Sequence, residues 1–256
     1  MIALILLSGF LGFLVGSFAN VCVYRIPRRE SIVLPASHCP ACNHEIAPLD
    51  NIPIFSWLML RGRCRYCHSR ISWRYPLLEA LMGLSWAGLA WHFGPEPQLA
   101  MALVLLFLLW VLSFIDLETG LLPDVLTLPG IALGLLFSWW LEHGLGALIG
   151  AIAGYAILWS VNRLFLLFTG REGMGYGDFK LLAMLGAFLG WQALPFIILL
   201  SSVIGVVIGS LFLWASRRGL RAEIPFGPYL AAAGMIWLLW GDAILGWYMT
   251  IAGMQG

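Results

Sequence analysis

Charged side chains are scarce in this sequence of 256 residues: Asp, Glu, Lys and Arg together make up 11% of it, against roughly 25% in soluble proteins. Apolar residues account for 61%, and the mean hydropathy is +0.90. A soluble globule of this size could not bury that much apolar surface, and a disordered chain would contain far less of it. The composition therefore excludes both classes and indicates a protein that crosses a membrane several times.

Common peptidase signatures are also absent from the sequence. It contains no HExxH motif, and no histidine inside a long apolar run lies next to a serine or cysteine. The first absence disfavours the usual zinc peptidase, and the second disfavours the usual activated serine or cysteine nucleophile. If the protein hydrolyses a peptide bond, the sequence favours another chemistry.

The apolar residues form continuous runs rather than alternating ones. About 20 such residues cross the hydrocarbon core as a helix, whereas membrane strands would alternate in polarity. We therefore predict an all-α polytopic membrane protein with about eight transmembrane helices. The predicted spans are residues 2–24, 76–93, 98–115, 125–141, 144–168, 179–194, 196–215 and 226–250.

Basic residues are confined to one side of this predicted topology. All fourteen Lys and Arg residues lie in, or within a turn or two of, the alternate loops 25–75, 116–124, 169–178 and 216–225. The positive-inside rule places these loops in the cytoplasm and both termini outside. The first span lacks a basic start and is long for a signal peptide, so we expect it to remain as an anchor.

Residues 25–75 differ from the rest of the chain, because they hold eight of its basic residues and four of its five cysteines. Two CxxC pairs, separated by 21 residues, can supply four thiolates for a tetrahedral zinc. The ligands would be Cys39, Cys42, Cys64 and Cys67. The cytosol disfavours disulfides, and a segment with so few core residues needs a staple. We predict a small cytoplasmic zinc-binding module with a structural zinc, and a redox or catalytic CxxC pair stays an alternative.

Two acids stand next to apolar runs at the predicted cytoplasmic boundary. Asp116 follows the uncharged run from Leu99 to Ile115, and Asp178 follows the glycine-rich Gly173–Gly177. Either acid could simply cap or solvate a helix end. If the two carboxylates meet, they share a proton, so that one activates water as a general base and the other donates a proton. The glycines would let the backbone of an extended substrate come close.

The same glycines permit a rival interpretation. Starting from Glu172, they look like the glycine loop of a soluble S-adenosylmethionine (SAM) methyltransferase. That loop belongs after a β-strand. Here it follows a predicted membrane helix, which disfavours this interpretation.

Five motifs occur in a fixed order along nearly the whole chain. They are Gly16–Val21 with Tyr24–Pro27, the double CxxC with Asp50–Pro53 and Arg74–Glu79, Ile115–Asp124, Gly173–Leu181, and Ile224–Pro228. In this combination the chain resembles the type IV prepilin peptidases, the GxGD membrane aspartyl proteases that mature type IV pilins and type II secretion pseudopilins.

The resemblance implies that Asp116 and Asp178 are the catalytic pair, and that Asp124 is secondary, as a cap of the fourth span. It implies cleavage of a short basic leader after a Gly at the cytoplasmic face of the bacterial inner membrane. It also implies N-methylation of the new N-terminal residue with SAM, whose binding residues the sequence does not identify. The expected partners are prepilin or pseudopilin substrates and the lipid bilayer, with no nucleic acid.

Three parts of the chain are predicted on this basis: the first span at 1–24, the zinc module at 25–75 and a peptidase domain at 76–256. The alternative function is a non-proteolytic zinc scaffold or a transporter with intramembrane acids. A transporter would place its acids near the bilayer midplane, whereas these acids cluster at one boundary. Lys180 lies two residues beyond Asp178 and is expected to reach the interface, or else to serve the active site.

Overall fold

The computed structural model describes residues 1–171, 173–216 and 225–251. Within these residues the chain is helical, with 3₁₀ turns at Pro48–Asn51 and Trp191–Ala193. The α-helices are α1 (Ile2–Arg25), α2 (Phe55–Met59), α3 (Arg74–Phe93), α4 (Pro97–Thr119), α5 (Asp124–Trp140), α6 (Gly144–Thr169), α7 (Tyr176–Leu189), α8 (Leu194–Ser216) and α9 (Gly227–Ile251). Glu172, Ile224 and most of the predicted loop 216–225 lie outside the described residues.

Each of the eight predicted apolar segments coincides with a long helix to within a few residues. Among the residues that the structure describes, five segments are long and apolar enough to cross a membrane, namely α1, α4, α6, Trp191–Leu211 and α9. This result confirms the helical class and fits a multi-pass membrane protein. The count of eight spans stays a prediction, because α3, α5 and α7 are not among these five. Helices α5 and α7 have only 17 and 14 residues, and a helix rises about 1.5 Å per residue.

Residues Met1–Val111 form one compact unit, which is built on the antiparallel helices α1 and α3. Glycines let the two backbones approach closely, since a Cβ atom at Gly12 would lie 2.9 Å from the Cα atom of Gly83. A Cβ atom at Gly16 would lie 2.7 Å from the Cα atom of Glu79. Small residues of this kind are the usual means of packing helices in a membrane.

Residues Leu112–Gly256 form the second unit, whose described part is arranged around α7. Helices α5, α6 and α9 all pack against α7, and its residues from Leu181 to Phe188 are all buried. The contact with α6 is especially close, because Gly150 faces the carbonyl oxygen of Gly186 and Gly154 faces that of Leu182. A side chain at either position would separate the two helices.

We predict that Gly150→Val destabilises the protein by about 3 kcal/mol or more, because its Cβ atom would collide with the backbone of α7. Gly146→Val is the matched control. It makes the same change in the same helix, at a position where an added Cβ atom meets nothing within 4 Å. Thermal unfolding of the two detergent-solubilised variants measures the difference. Equal melting temperatures would contradict the close α6–α7 contact.

Candidate functional site

The four predicted cysteine ligands lie on two turns with matching backbone structure. In the first turn the N–H of Cys39 donates to the carbonyl of His44, and in the second the N–H of Cys64 donates to that of Ser69, both at 2.9 Å. The residue after each second cysteine has a positive φ of 56°, which closes both turns in the same way. A short β-bridge flanks each turn. The sequence spacing thus produces two similar knuckles.

The knuckles bring the four thiols together. The Sγ atoms of Cys39, Cys42, Cys64 and Cys67 all lie within 4.8 Å of one another, and those of Cys39 and Cys67 are 3.8 Å apart. Four sulfurs at about 2.3 Å from a tetrahedral zinc would be separated by about 3.8 Å. The chemistry and spacing of these donors therefore fit a metal ion, and no disulfide joins the thiols.

The environment of the cluster favours a thiolate at Cys39. Burial raises the pKa of this thiol, but the backbone N–H groups of Ala41 and Cys42 and the hydroxyl of Ser69 outweigh burial and lower the pKa to about 6. Four adjacent thiolates would repel one another strongly without a cation between them. A divalent metal ion would remove this repulsion and would bind thiolates rather than thiols.

The two predicted catalytic acids lie in the second unit, at helix ends. Asp116 is in the last turn of α4 and Asp178 is the third residue of α7. Both are buried, with exposed fractions of 5% and 8%. Leu122 lies against both Gly177, which precedes Asp178, and Gly227, which contacts Asp116, so the two acids share one region. The fold thus brings together two carboxylates that are 62 positions apart in the sequence. A buried pair of carboxylates can share a proton, as general acid–base hydrolysis requires.

Asp116 is held in place by the start of α9. The backbone N–H of Gly227 donates to Oδ2 of Asp116 at 2.9 Å. A Cβ atom on Gly227 would lie 2.7 Å from that same oxygen, so this contact requires glycine. Sequence reasoning did not assign a role to Gly227, although the motif Ile224–Pro228 marked the segment.

The glycine loop before Asp178 is held by Asn162 of α6. The Oδ1 atom of this buried side chain accepts hydrogen bonds from the N–H groups of Gly173 and Met174, at 3.0 and 3.2 Å. On the other side, a Cβ atom at Gly177 would lie 2.7 Å from Cβ of Leu122. Close packing therefore explains these glycines at least in part. Sequence reasoning missed Asn162. The one feature that could have indicated it is a polar amide side chain within an apolar helix.

Lys180 forms an ion pair with Asp124, at 2.5 Å. Asp124 is the first residue of α5, whose N-cap residue is Pro123, and its carboxylate contacts Lys180 of α7. The pair therefore links the starts of α5 and α7, two residues from Asp178. Neither of the two roles predicted for Lys180 involved Asp124. The two residues are 56 positions apart in the sequence, so no local pattern indicates their contact.

These observations define a helical membrane protein with a buried carboxylate pair and a four-cysteine cluster that could hold a metal ion. Two family models match the chain: the bacterial peptidase A24 N-terminal domain over residues 10–93, and the type IV leader peptidase family over residues 103–210. No solved structure matches it.

Curated relatives match nearly the whole chain. Proteins named prepilin leader peptidase/N-methyltransferase are 48% identical in Stutzerimonas stutzeri and 47% identical in Pseudomonas aeruginosa. The matches cover 98% and 99% of this chain, respectively, and 96% of each relative. A relative of the same name in Aeromonas hydrophila is 49% identical, over 93% of this chain and 91% of its own. The chain therefore belongs to the type IV leader peptidase family.

We predict that Cys39→Ser removes most of the bound metal from the purified protein, because three thiolates hold a tetrahedral ion much less tightly than four. The matched control is Cys22→Ser, which changes the cysteine within α1. Metal content per chain, measured by elemental mass spectrometry, distinguishes the two variants. Metal retained by Cys39→Ser, or lost equally from both, would contradict the four-cysteine site.

Proposed function

We propose that this protein is a membrane endopeptidase that removes the leader from prepilins or pseudopilins and then N-methylates the new N-terminal residue. The observation that carries the peptidase part is the burial of both Asp116 and Asp178 within the second unit. The relatives' shared name supports both activities. A scaffold or transporter role has no such support, because neither requires two buried carboxylates at helix ends within one unit.

In the proposed mechanism Asp116 and Asp178 share one proton and act on a water molecule between them. The ionised carboxylate takes a proton from water as its oxygen attacks the scissile carbonyl carbon, and the protonated one donates to the carbonyl oxygen. As the diol collapses, the carboxyl group that now holds the proton donates it to the leaving nitrogen and the C–N bond breaks, while the other carboxylate takes a proton from a diol hydroxyl. The products are a carboxylic acid on the leader and an amine on the pilin, and the pair again holds one proton.

The surrounding contacts fix the pair for this reaction. Gly227 holds one oxygen of Asp116, and Asn162 holds the loop that leads into Asp178. Groups placed before the reaction need not reorganise during it, which is a large part of enzymatic rate enhancement. We assign Gly227 and Asn162 as positioning residues, since neither has to touch the substrate.

The proposed topology has eight spans, with the zinc module and both aspartates at the cytoplasmic face of the bacterial inner membrane. The arrangement of basic residues supports this orientation. A prepilin with an apolar helix in the bilayer and a leader in the cytosol would present its cleavage site at that level. Because residues 25–75 are rich in arginine, simple charge attraction would not draw a basic leader to them.

A structural zinc is proposed for the cluster of Cys39, Cys42, Cys64 and Cys67. Of these residues only Cys39 and Cys64 are buried, and most side chains of the 25–75 module are exposed. A segment with so small a core depends on a metal for its fold. We therefore assign zinc the task of holding the two knuckles together, and not a step in hydrolysis.

SAM would supply the methyl group for the proposed N-methylation. The glycine loop before α7 does not fit a SAM site of the Rossmann type, because it follows helix α6 and two of its N–H groups are bound by Asn162. The proposal of methylation therefore depends on the relatives' name alone. It assigns no residue to the cofactor.

We predict that Asp178→Asn and Asp116→Asn each lower the rate of leader cleavage by about a thousandfold or more, because an amide cannot carry the shared proton. Purified full-length variants would be incubated with a prepilin and SAM, and intact masses would report leader loss and methyl addition separately. The control is Glu142→Gln, an exposed acid beyond the far end of α5. Substantial cleavage by Asp178→Asn would refute the aspartyl mechanism.

The contact between Gly227 and Asp116 yields a second prediction. Gly227→Ala should lower cleavage by about a hundredfold, because the methyl group displaces the Asp116 carboxylate from its N–H donor. Gly246→Ala is the matched control, since it lies in the same helix with nothing within 4 Å of an added Cβ atom. Equal cleavage rates for the two variants, in the assay above, would show that this contact does not position Asp116.

A further inference from the structure

The short helix α2 belongs to residues 25–75, the cysteine module, and presents apolar side chains to its surroundings. Phe55, Leu58 and Met59 are 58%, 60% and 69% exposed, while Ser56 on the other face is buried and donates its hydroxyl to the carbonyl of Ile52. The one buried side chain of α2 is therefore polar, whereas three of its four apolar side chains are exposed. Such a cluster marks a surface that meets something other than water.

Helix α2 begins beside the helix pair α1 and α3, not beyond its end. The backbone N–H of Ile54 donates to Oε2 of Glu79 at 2.7 Å. Glu79 is five residues inside α3, which is about 7.5 Å along the axis. It packs against Gly16, which lies nine residues, or about 13 Å, before the end of α1 at Arg25. If α1 and α3 cross the bilayer, the start of α2 lies at the depth of the lipid boundary.

Positive charge follows directly after the apolar side chains. Arg61 and Arg63 are exposed, and neither has an acidic partner among the residues that the structure describes. Both arginines line an open cleft of about 600 Å³. Met59 and Leu60 line the same cleft. Arg65 also lines the cleft, but its guanidinium is paired with Asp50 at 2.5 Å. Apolar and cationic groups thus adjoin each other.

We propose that α2 is an interfacial membrane anchor. In this arrangement Phe55, Leu58 and Met59 insert at the boundary between acyl chains and headgroups, and Arg61 and Arg63 bind the phosphates of anionic phospholipids. An apolar face joined to arginines is the usual pattern of a segment that lies in this boundary. The proposal depends on α1 and α3 being membrane helices and is independent of the chemistry assigned to the aspartates.

Photo-crosslinking of the full-length protein tests the insertion. Phe55 or Leu58 would be replaced by p-benzoylphenylalanine, and the protein placed in nanodiscs of equal parts phosphatidylcholine and phosphatidylglycerol. After irradiation, mass spectrometry would count lipid adducts. The negative control is the same replacement at Tyr66, which is 51% exposed in the second knuckle, and the positive control is Trp91, which is 73% exposed on α3. Unchanged metal content would show that each variant keeps its module folded.

We expect lipid adducts at positions 55 and 58 to exceed those at 66 by about tenfold, and to approach those at 91. Adducts at 91 without adducts at 55 and 58 would overturn the proposal. A prepilin added to the nanodiscs tests the other possible occupant of this surface. Crosslinks to prepilin at 55 and 58, with no lipid adducts in its absence, would also overturn the proposal. Since no cleavage is measured, this outcome is independent of the catalytic assignment.

The charge contribution is tested with two arginines that face each other across a β-bridge. Arg63 lines the cleft, whereas Arg70, its bridge partner, does not. In the Phe55-labelled protein, Arg63→Gln should lower the preference for phosphatidylglycerol over phosphatidylcholine adducts by about fivefold. Arg70→Gln should leave that preference nearly unchanged. Equal effects of the two substitutions would contradict specific headgroup binding at the cleft.

Discussion

The close packing of α7 against the glycine-lined faces of its neighbours is the constraint on which the second unit depends. With only 14 residues, α7 is buried along almost its whole length by α5, α6 and α9. Because Gly150 and Gly154 carry no side chain, backbone meets backbone between α6 and α7. A helix held so tightly cannot tilt or slide independently. The position of Asp178, in its first turn, is therefore set by the packing of the helices as well as by the loop before it.

The other parts of the carboxylate site are fixed in the same manner, by backbone groups brought in from distant segments. Gly227 begins α9 and donates to Asp116 at the end of α4, while Asn162 of α6 binds two N–H groups of the loop before α7. Each contact satisfies a polar group that would otherwise be left without a partner in a buried position. Stability of the fold and placement of the two acids thus depend on the same hydrogen bonds, and the acids need no dedicated scaffold of their own.

Features encoded by nearby residues could be predicted from the sequence, and contacts between distant residues could not. Continuous apolar runs located the eight long helices, and two CxxC pairs located the thiol cluster, because both signals are local. The ion pair of Lys180 with Asp124 joins residues 56 positions apart, for which no spacing rule exists. The glycines before Asp178 were expected to admit a substrate. The structure shows Gly173 and Gly177 packed against Phe165 and Leu122, a role that sequence alone could not distinguish from the first.

The cysteine module leaves many large apolar side chains exposed, which is the reverse of the usual distribution. Its contacts with the helices α1 and α3 explain how it can do so. Its position is set by polar contacts: buried Arg25 donates to the carbonyls of Ser31 and Ala36, and Ile54 donates to Glu79. Its two knuckles meet at four sulfur atoms, which lie within 4.8 Å of one another, rather than around an apolar core. The module therefore does not need its large apolar residues inside. In water, leaving them outside would cost free energy. Next to a bilayer the same arrangement is favourable, because the apolar medium is then outside the protein.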